Sequence, residues 1–174
     1  MLEELPAYRL RPPGDALPGR WMTGTQNHEG IAGTTAAIDY LAEIGRAHDP
    51  AAVDRRPALS AAYYAIVEYE RTLVRHMLES LAELKDVRVW GITDVGRLAE
   101  RVPTVAITHS RHTSEEIAQY LAVRGIFVWH GNYYALPLTE TLGLEPDGMV
   151  RIGQLHYNTR DEIDRLIEAL RELP

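Results

Sequence analysis

Three stretches of this chain gather groups suited to holding a small charged molecule. The first, Thr23 to Gly30, sets Gly24, Thr25, Gln26 and Asn27 just ahead of a helical pattern. Glycine frees the backbone to present N–H groups, and a helix N-terminus favours negative charge, so the stretch suits an anion such as phosphate. The plainer reading is a polar turn that caps the helix. The second stretch, Gly125 to Pro137, runs an apolar strand into a turn bearing Asn132, Tyr133 and Tyr134. Strand ends of this kind line pockets, although a Gly-Asn turn with two packed tyrosines would look the same. In the third, Val150 to Thr159, Arg151 lies on a strand between apolar neighbours. Its planar guanidinium is a ready bidentate partner for a carboxylate, or else it occupies the exposed face of an antiparallel strand.

Other chemistries have little material to work with. The chain has no cysteine, which excludes disulfides, thiolate metal sites and thiol nucleophiles. His109 and His112 flank a turn without an evident third ligand, so no metal site is expected. His28, His130 and His156 fall within the three stretches and could line a pocket or serve as hydrogen-bonded structural residues. Of 18 basic residues a single one, Lys85, is lysine, and it stands beside Asp86 like a solvated surface residue. The net charge of -7 argues against a nucleic-acid footprint and a polybasic membrane patch. No apolar run approaches the ~18 residues of a membrane span, and the opening residues carry Glu3 and Glu4 rather than a signal-peptide core. A cytoplasmic location is the expectation.

The elements that must position these residues follow from periodicity. Residues 1–30 are punctuated by Pro6, Pro12, Pro13, Pro18 and several glycines, and read as irregular. A helix is predicted over 31–44 with Gly45 as its C-cap, then a polar linker over 48–57. Leu59, Tyr63, Ile66, Leu73, Met77, Leu81 and Leu84 predict a long helix over 58–84, roughly 40 Å at ~1.5 Å per residue. Short β-branched or apolar runs predict strands at 87–91, 104–108, 126–129 and 149–155. Thr113 with Glu116, and Thr159 with Glu162, are capping boxes that open helices, the first ending near Arg124 with Gly125 after it. The second half is thus an α+β unit of about four strands, while the first reads as an incomplete piece of something larger.

Taken in order, the three stretches resemble one family, the class V aminotransferases and cysteine desulfurases of the fold-type-I pyridoxal-phosphate enzymes. The family's Gly-Thr-any-Asn loop matches Gly24-Thr25-Gln26-Asn27. Its arginine strand, followed by Tyr-Asn-Thr and an acidic helix start, matches Arg151-Ile152-Gly153 and Tyr157-Asn158-Thr159 with Asp161, Glu162 and Asp164. The resemblance covers nearly the whole chain. It implies an α+β fold, the C-terminal small domain, with an antiparallel or mixed sheet of about four strands, helices on one face and a long helix ahead of it. The implied division is 1–57 as a loop-and-helix remnant of the large domain, 58–84 as the connecting helix, and 85–174 as the small domain.

The resemblance also implies roles. Arg151 would bind the substrate α-carboxylate, with Asn132 and Tyr134 on the substrate side. Gly24, Thr25 and Gln26 would contact cofactor phosphate, Thr25 reaching that of the partner subunit in a homodimer. No catalytic residue is assigned within the chain. In desulfurases the 125–137 segment carries the nucleophilic cysteine; Tyr134 stands at that place, and Trp129 stands where those enzymes have an arginine. A phenol cannot replace a thiolate in persulfide chemistry, so the implied reactions are transamination, epimerisation or β-elimination on an amino acid, in a more aromatic pocket. The family's cofactor-bearing lysine lies upstream of the Gly-Thr-any-Asn loop, and Lys85 is no substitute for it. Pyridoxal phosphate is therefore expected in an intact enzyme completed by an upstream domain or second subunit, and not covalently on this chain. The alternative is a non-catalytic module that binds a small carboxylate or dimerises.

Overall fold

The computed structural model describes residues 3–8 and 14–174, and divides into two compact units, Met1–Ala62 and Tyr63–Pro174. Of the irregular opening predicted from the sequence, Pro12 and Pro13 lie outside the described residues. In the first unit a short 3-10 turn, Gly19–Trp21, precedes α1 (His28–His48), whose N-terminus is capped by the Asn27 side chain accepting from Gly30 N–H. The helix thus starts before the predicted Ile31 and runs through Gly45. Gly45 is not a C-cap: it is buried, and a Cβ there would collide with the carbonyl oxygen of Ala58. Its missing side chain lets the start of the next helix approach, around a small cluster of Ala42, Ala52 and Ala58.

The long helix is α2 (Arg55–Ala82), beginning inside what the sequence suggested was linker. Pro57 is its third residue, in the first turn, where no helical N–H bond is lost. In the second unit come β1 (Val87–Trp90), a 3-10 segment over Val95–Glu100, β2 (Val105–His109), α3 (Ser114–Ala122), β3 (Trp129–Gly131), α4 (Leu136–Thr141), β4 (Met149–Ile152) and α5 (Arg160–Arg171). The four strands form one sheet in the order β1-β2-β4-β3, every pair antiparallel. Both predicted capping boxes form, with Thr113 and Thr159 as N-caps of α3 and α5. The predicted strand at 126–129 begins only at Trp129, because Ile126 to Val128 make no ladder.

The core lies on one face of the sheet. Val105 and Ile107 of β2 and Val150 and Ile152 of β4 meet Leu73, Met77 and Leu81 of α2, Ile117 and Leu121 of α3, and Ile163, Leu166 and Leu170 of α5. Each fully buried side chain of this size contributes about 1.5–3 kcal/mol. Polar ties fix α2 along the start of α5: Tyr69 donates to the Asn158 carbonyl at 2.8 Å, and His76 Nε2 lies 2.5 Å from Asp164 Oδ1. Among the described residues no helix is long and apolar enough to cross a membrane.

Two predictions follow from this packing. Gln154 is 3% exposed and neither polar atom of its side chain has a hydrogen-bond partner among the described residues. A buried unsatisfied amide costs about 1–3 kcal/mol, so Gln154→Leu should raise stability by ~1–2 kcal/mol in urea unfolding; a loss would mean that the amide has a partner. The backbone N–H of each N-cap threonine also bonds a glutamate three residues on, and this holds Glu116 and Glu162 below the ordinary carboxylate value of 4.5. A depressed folded-state pKa gives stability that is present above the unfolded value and lost as pH falls through the folded one. Below about pH 4.5 the chain should lose stability, and Glu162→Ala should flatten that loss when melting temperatures are compared at neutral and acidic pH. An unchanged slope would contradict the role given to the capping carboxylate.

Candidate functional site

The last three residues of β4 alternate in burial, and that alternation decides where Arg151 goes. Val150 and Ile152 enter the core while Arg151 is exposed on the opposite, open face. Directly opposed residues of an antiparallel pair share a face. The register opposes Arg151 to Ala106 of β2 on one side and to Trp129 of β3 on the other. Among the described residues no carboxylate pairs with the guanidinium; its recorded neighbour is the Tyr133 ring, 5.1 Å from Cζ to the ring centre.

Tyr133 reaches that place from an unusual turn. After β3 the chain reverses through Asn132 to Ala135, with Ala135 N–H donating to the Asn132 carbonyl at 2.7 Å. Both central residues lie in the left-handed region, Tyr133 at φ 54° and Tyr134 at φ 62°, the arrangement of a type I′ turn usually filled by Asn or Gly. The Asn132 side chain supports the turn by accepting from Tyr134 N–H at 3.1 Å. Tyr133 is half-buried and its hydroxyl donates to the Met149 carbonyl of β4. Burial pushes its phenol well above the ordinary tyrosine range, partly offset by Arg151, so it remains a neutral donor. Tyr134 is 99% exposed. The turn is held against β4 by a second close approach: Gly148 at positive φ abuts the backbone of Gly131, and a Cβ on Gly148 would collide with it.

Of the residues singled out in the sequence, Asn132, Tyr134 and Arg151 thus fall in one neighbourhood of the second unit. Gly24, Thr25 and Gln26 lie in the first unit, Thr25 exposed, with the Gln26 amide donating to the Gly24 carbonyl at 2.9 Å just ahead of the α1 N-terminus. That N-terminus borders an open hollow lined by Asn27, Gly30, Ile31, Thr34 and Thr35, and Thr25 is not among its lining residues. Lys85 is exposed in the turn between α2 and β1. His109 and His112 approach to 5.0 Å between ring centres, and burial, then the neighbouring His112, lowers the His109 pKa. No group of three or more metal-ligating side chains occurs among the described residues. A cleft of about 260 Å³ lies on the core side, lined by Gln154, Ile163 and Leu166 among others, and Arg151 is not part of it. Sequence reading missed the open-face neighbours Ala106 and Trp90, because nothing in a single strand reveals its cross-strand partners.

The turn carries a measurable cost. A non-glycine residue in the left-handed region costs roughly 1–2 kcal/mol, and at 99% exposure Tyr134 recovers none of it by packing. Tyr134→Gly should therefore stabilise the chain by about 1 kcal/mol in denaturant unfolding. A destabilised variant would show that the tyrosine earns its conformation within this chain.

Comparison with known proteins gives the family and the fold. The aminotransferase class-V family profile matches residues 14–166. Proteins named cysteine desulfurase from Salmonella newport and Salmonella typhi are each 32% identical over 153 residues, covering 88% of this chain and 32% of their own length. The apo cysteine desulfurase of Thermococcus onnurineus superposes with a TM-score of 0.71 at 25% identity, over 89% of this chain and 33% of that one. The cysteine desulfurase CsdA of Escherichia coli shares the fold, with a TM-score of 0.64 at 24% identity over 88% of this chain and 32% of that one. The chain spans about a third of the length of these relatives. With the arginine strand, the capping box after it and the small-domain sheet all in place, this chain belongs to the class-V aminotransferase family of fold-type-I pyridoxal-phosphate enzymes.

Proposed function

We propose that this chain supplies the substrate-carboxylate contact, and part of the phosphate contact, of a pyridoxal-phosphate enzyme acting on an amino acid. The observation that carries the reading is Arg151: exposed on the open sheet face, unpaired with any described carboxylate, and steadied by the Tyr133 ring. Its fork can hold an α-carboxylate through two parallel N–H···O bonds. Held so, the substrate presents its α-carbon in a fixed orientation, and the exposed Tyr134 and Asn132 turn borders the same place. Gly24, Thr25 and Gln26 offer a hydroxyl and backbone N–H groups near the α1 N-terminus, which suits a phosphate. In the family resemblance that phosphate belongs to a partner subunit, so we propose a homodimer.

The residues present fit contacts to cofactor and substrate, and do not fit covalent attachment. The single lysine, Lys85, is exposed and lies in the turn before β1, two strands removed from β4. We therefore place the attaching amine on polypeptide outside these 174 residues, an upstream domain or second subunit, with residues 1–57 belonging to the large domain, 58–84 connecting, and 85–174 forming the small domain. When bound, pyridoxal phosphate supplies the electron sink that makes bonds at an amino acid's α-carbon labile. Which bond breaks distinguishes transamination, epimerisation and β-elimination. Persulfide formation of the kind the relatives' name implies is not proposed, since the chain has no cysteine and carries Tyr134 where the desulfurase turn would place one.

Replacing Arg151 with alanine should weaken amino-acid binding by ~1.5–3 kcal/mol, the scale of hydrogen bonds to a charged group. Calorimetric titration checks this, and an affinity unchanged within about twofold would remove Arg151 from the site.

A further inference from the structure

The open face of the sheet has a composition that bears on which amino acid it would take. The register aligns one residue from each strand in a single row: Trp90 opposes Ala106, Ala106 opposes Arg151, and Arg151 opposes Trp129. Neighbours in such a row have Cβ atoms about 4.5–5.5 Å apart. Arg151 is therefore flanked by a methyl group on one side and an indole on the other. None of the four strands contains an acidic residue.

The two tryptophans in this row differ. Trp90 is already committed: its indole N–H donates to Thr108 Oγ1 at 3.0 Å, and the Arg88 guanidinium lies over its ring at 3.8 Å. Trp129 has no such partners among the described residues and is 60% exposed. On the far side of Arg151 Ala106 presents only a methyl group, and the exposed Tyr134 belongs to the turn that directly follows β3. An exposed cation beside a bare aromatic surface, with no acidic residue on the strands, matches a ligand that joins a carboxylate to an apolar body. Arg88, the other cation on this face, already covers Trp90 and is poorly placed to serve a second carboxylate.

We infer that Trp129 selects the substrate, favouring an amino acid with an aromatic or large apolar side chain whose carboxylate lies on Arg151 and whose side chain covers the Trp129 indole. This rests on the carboxylate role of Arg151 proposed above. Stacked aromatic pairs gain enough beyond area burial to separate phenylalanine from alanine by about fivefold or more.

The test is an NMR titration of the isotope-labelled chain with phenylalanine, alanine and glutamate, following the Trp129 indole N–H and the Arg151 Nε–H resonances. Phenylalanine is expected to bind at least about fivefold more tightly than alanine or glutamate and to shift both resonances. Trp129→Ala should bring phenylalanine down to the level of alanine, and Trp129→Phe should restore most of the preference. Equal affinities in the native chain, a preference for glutamate, or a phenylalanine preference that survives Trp129→Ala would each overturn the inference while leaving the role of Arg151 standing, provided binding still responds to Arg151→Ala. If no amino acid moves the Arg151 resonance, both the inference and the carboxylate reading fall.

Discussion

The antiparallel register of β4 between β2 and β3 governs what this chain can offer a ligand. With Val150 and Ile152 packed into the core, the pleat turns Arg151 to the open face. A slip of one residue would reverse every side chain of the strand, placing a guanidinium in the core and two aliphatic side chains in water. Burying an unpaired charge costs far more than the strand recovers elsewhere, so folding and the exposure of Arg151 are the same event. Two further contacts hold the register at its β3 end. Gly148 lets the chain pass against Gly131, and the Tyr133 hydroxyl bonds the Met149 carbonyl. The residue that steadies Arg151 is thus also a clasp on the strand that bears it.

Against that stable frame stands the turn after β3, where two consecutive tyrosines adopt a backbone that side chains disfavour. Tyr133 recovers the cost through its hydrogen bond and partial burial, and Tyr134 does not. Unrelieved strain on a fully exposed aromatic side chain is the pattern of a residue kept for what it meets rather than for the fold. The same turn in the desulfurase resemblance would carry a cysteine. On that resemblance a phenol would stand in this chain where a thiol would in those enzymes.

Much of this was legible in the sequence, for identifiable reasons. The capping boxes at Thr113 and Thr159 are local, since a threonine and a glutamate three residues apart satisfy each other's backbone wherever they fall. The apolar neighbours of Arg151 marked it as a strand residue and left the exposed face as one of two readings, and the structure does expose it. Non-local facts were hidden. Gly45 looked like a helix stop, because glycine after an amphipathic run usually is one; its purpose is the close approach of α2. Ile126 to Val128 had the composition of a strand but no ladder. The helix α4 was missed because Leu136 to Thr141 is too short to show a period. The row from Trp90 to Trp129 exists only once four strands are in register, so no reading of single segments could have assembled it.

Within the class-V family the chain corresponds to about a third of its relatives' length. The carboxylate contact is the claim on which the rest turns. It is tested most directly by comparing phenylalanine with phenylalaninamide, in which a neutral amide replaces the carboxylate, against the native chain and against Arg151→Ala. If Arg151 holds the carboxylate, the amide binds the native chain at least about tenfold more weakly than the acid, and the two bind Arg151→Ala within about twofold of each other. An equal loss in both proteins would contradict it, because the charge would then be read by some other residue.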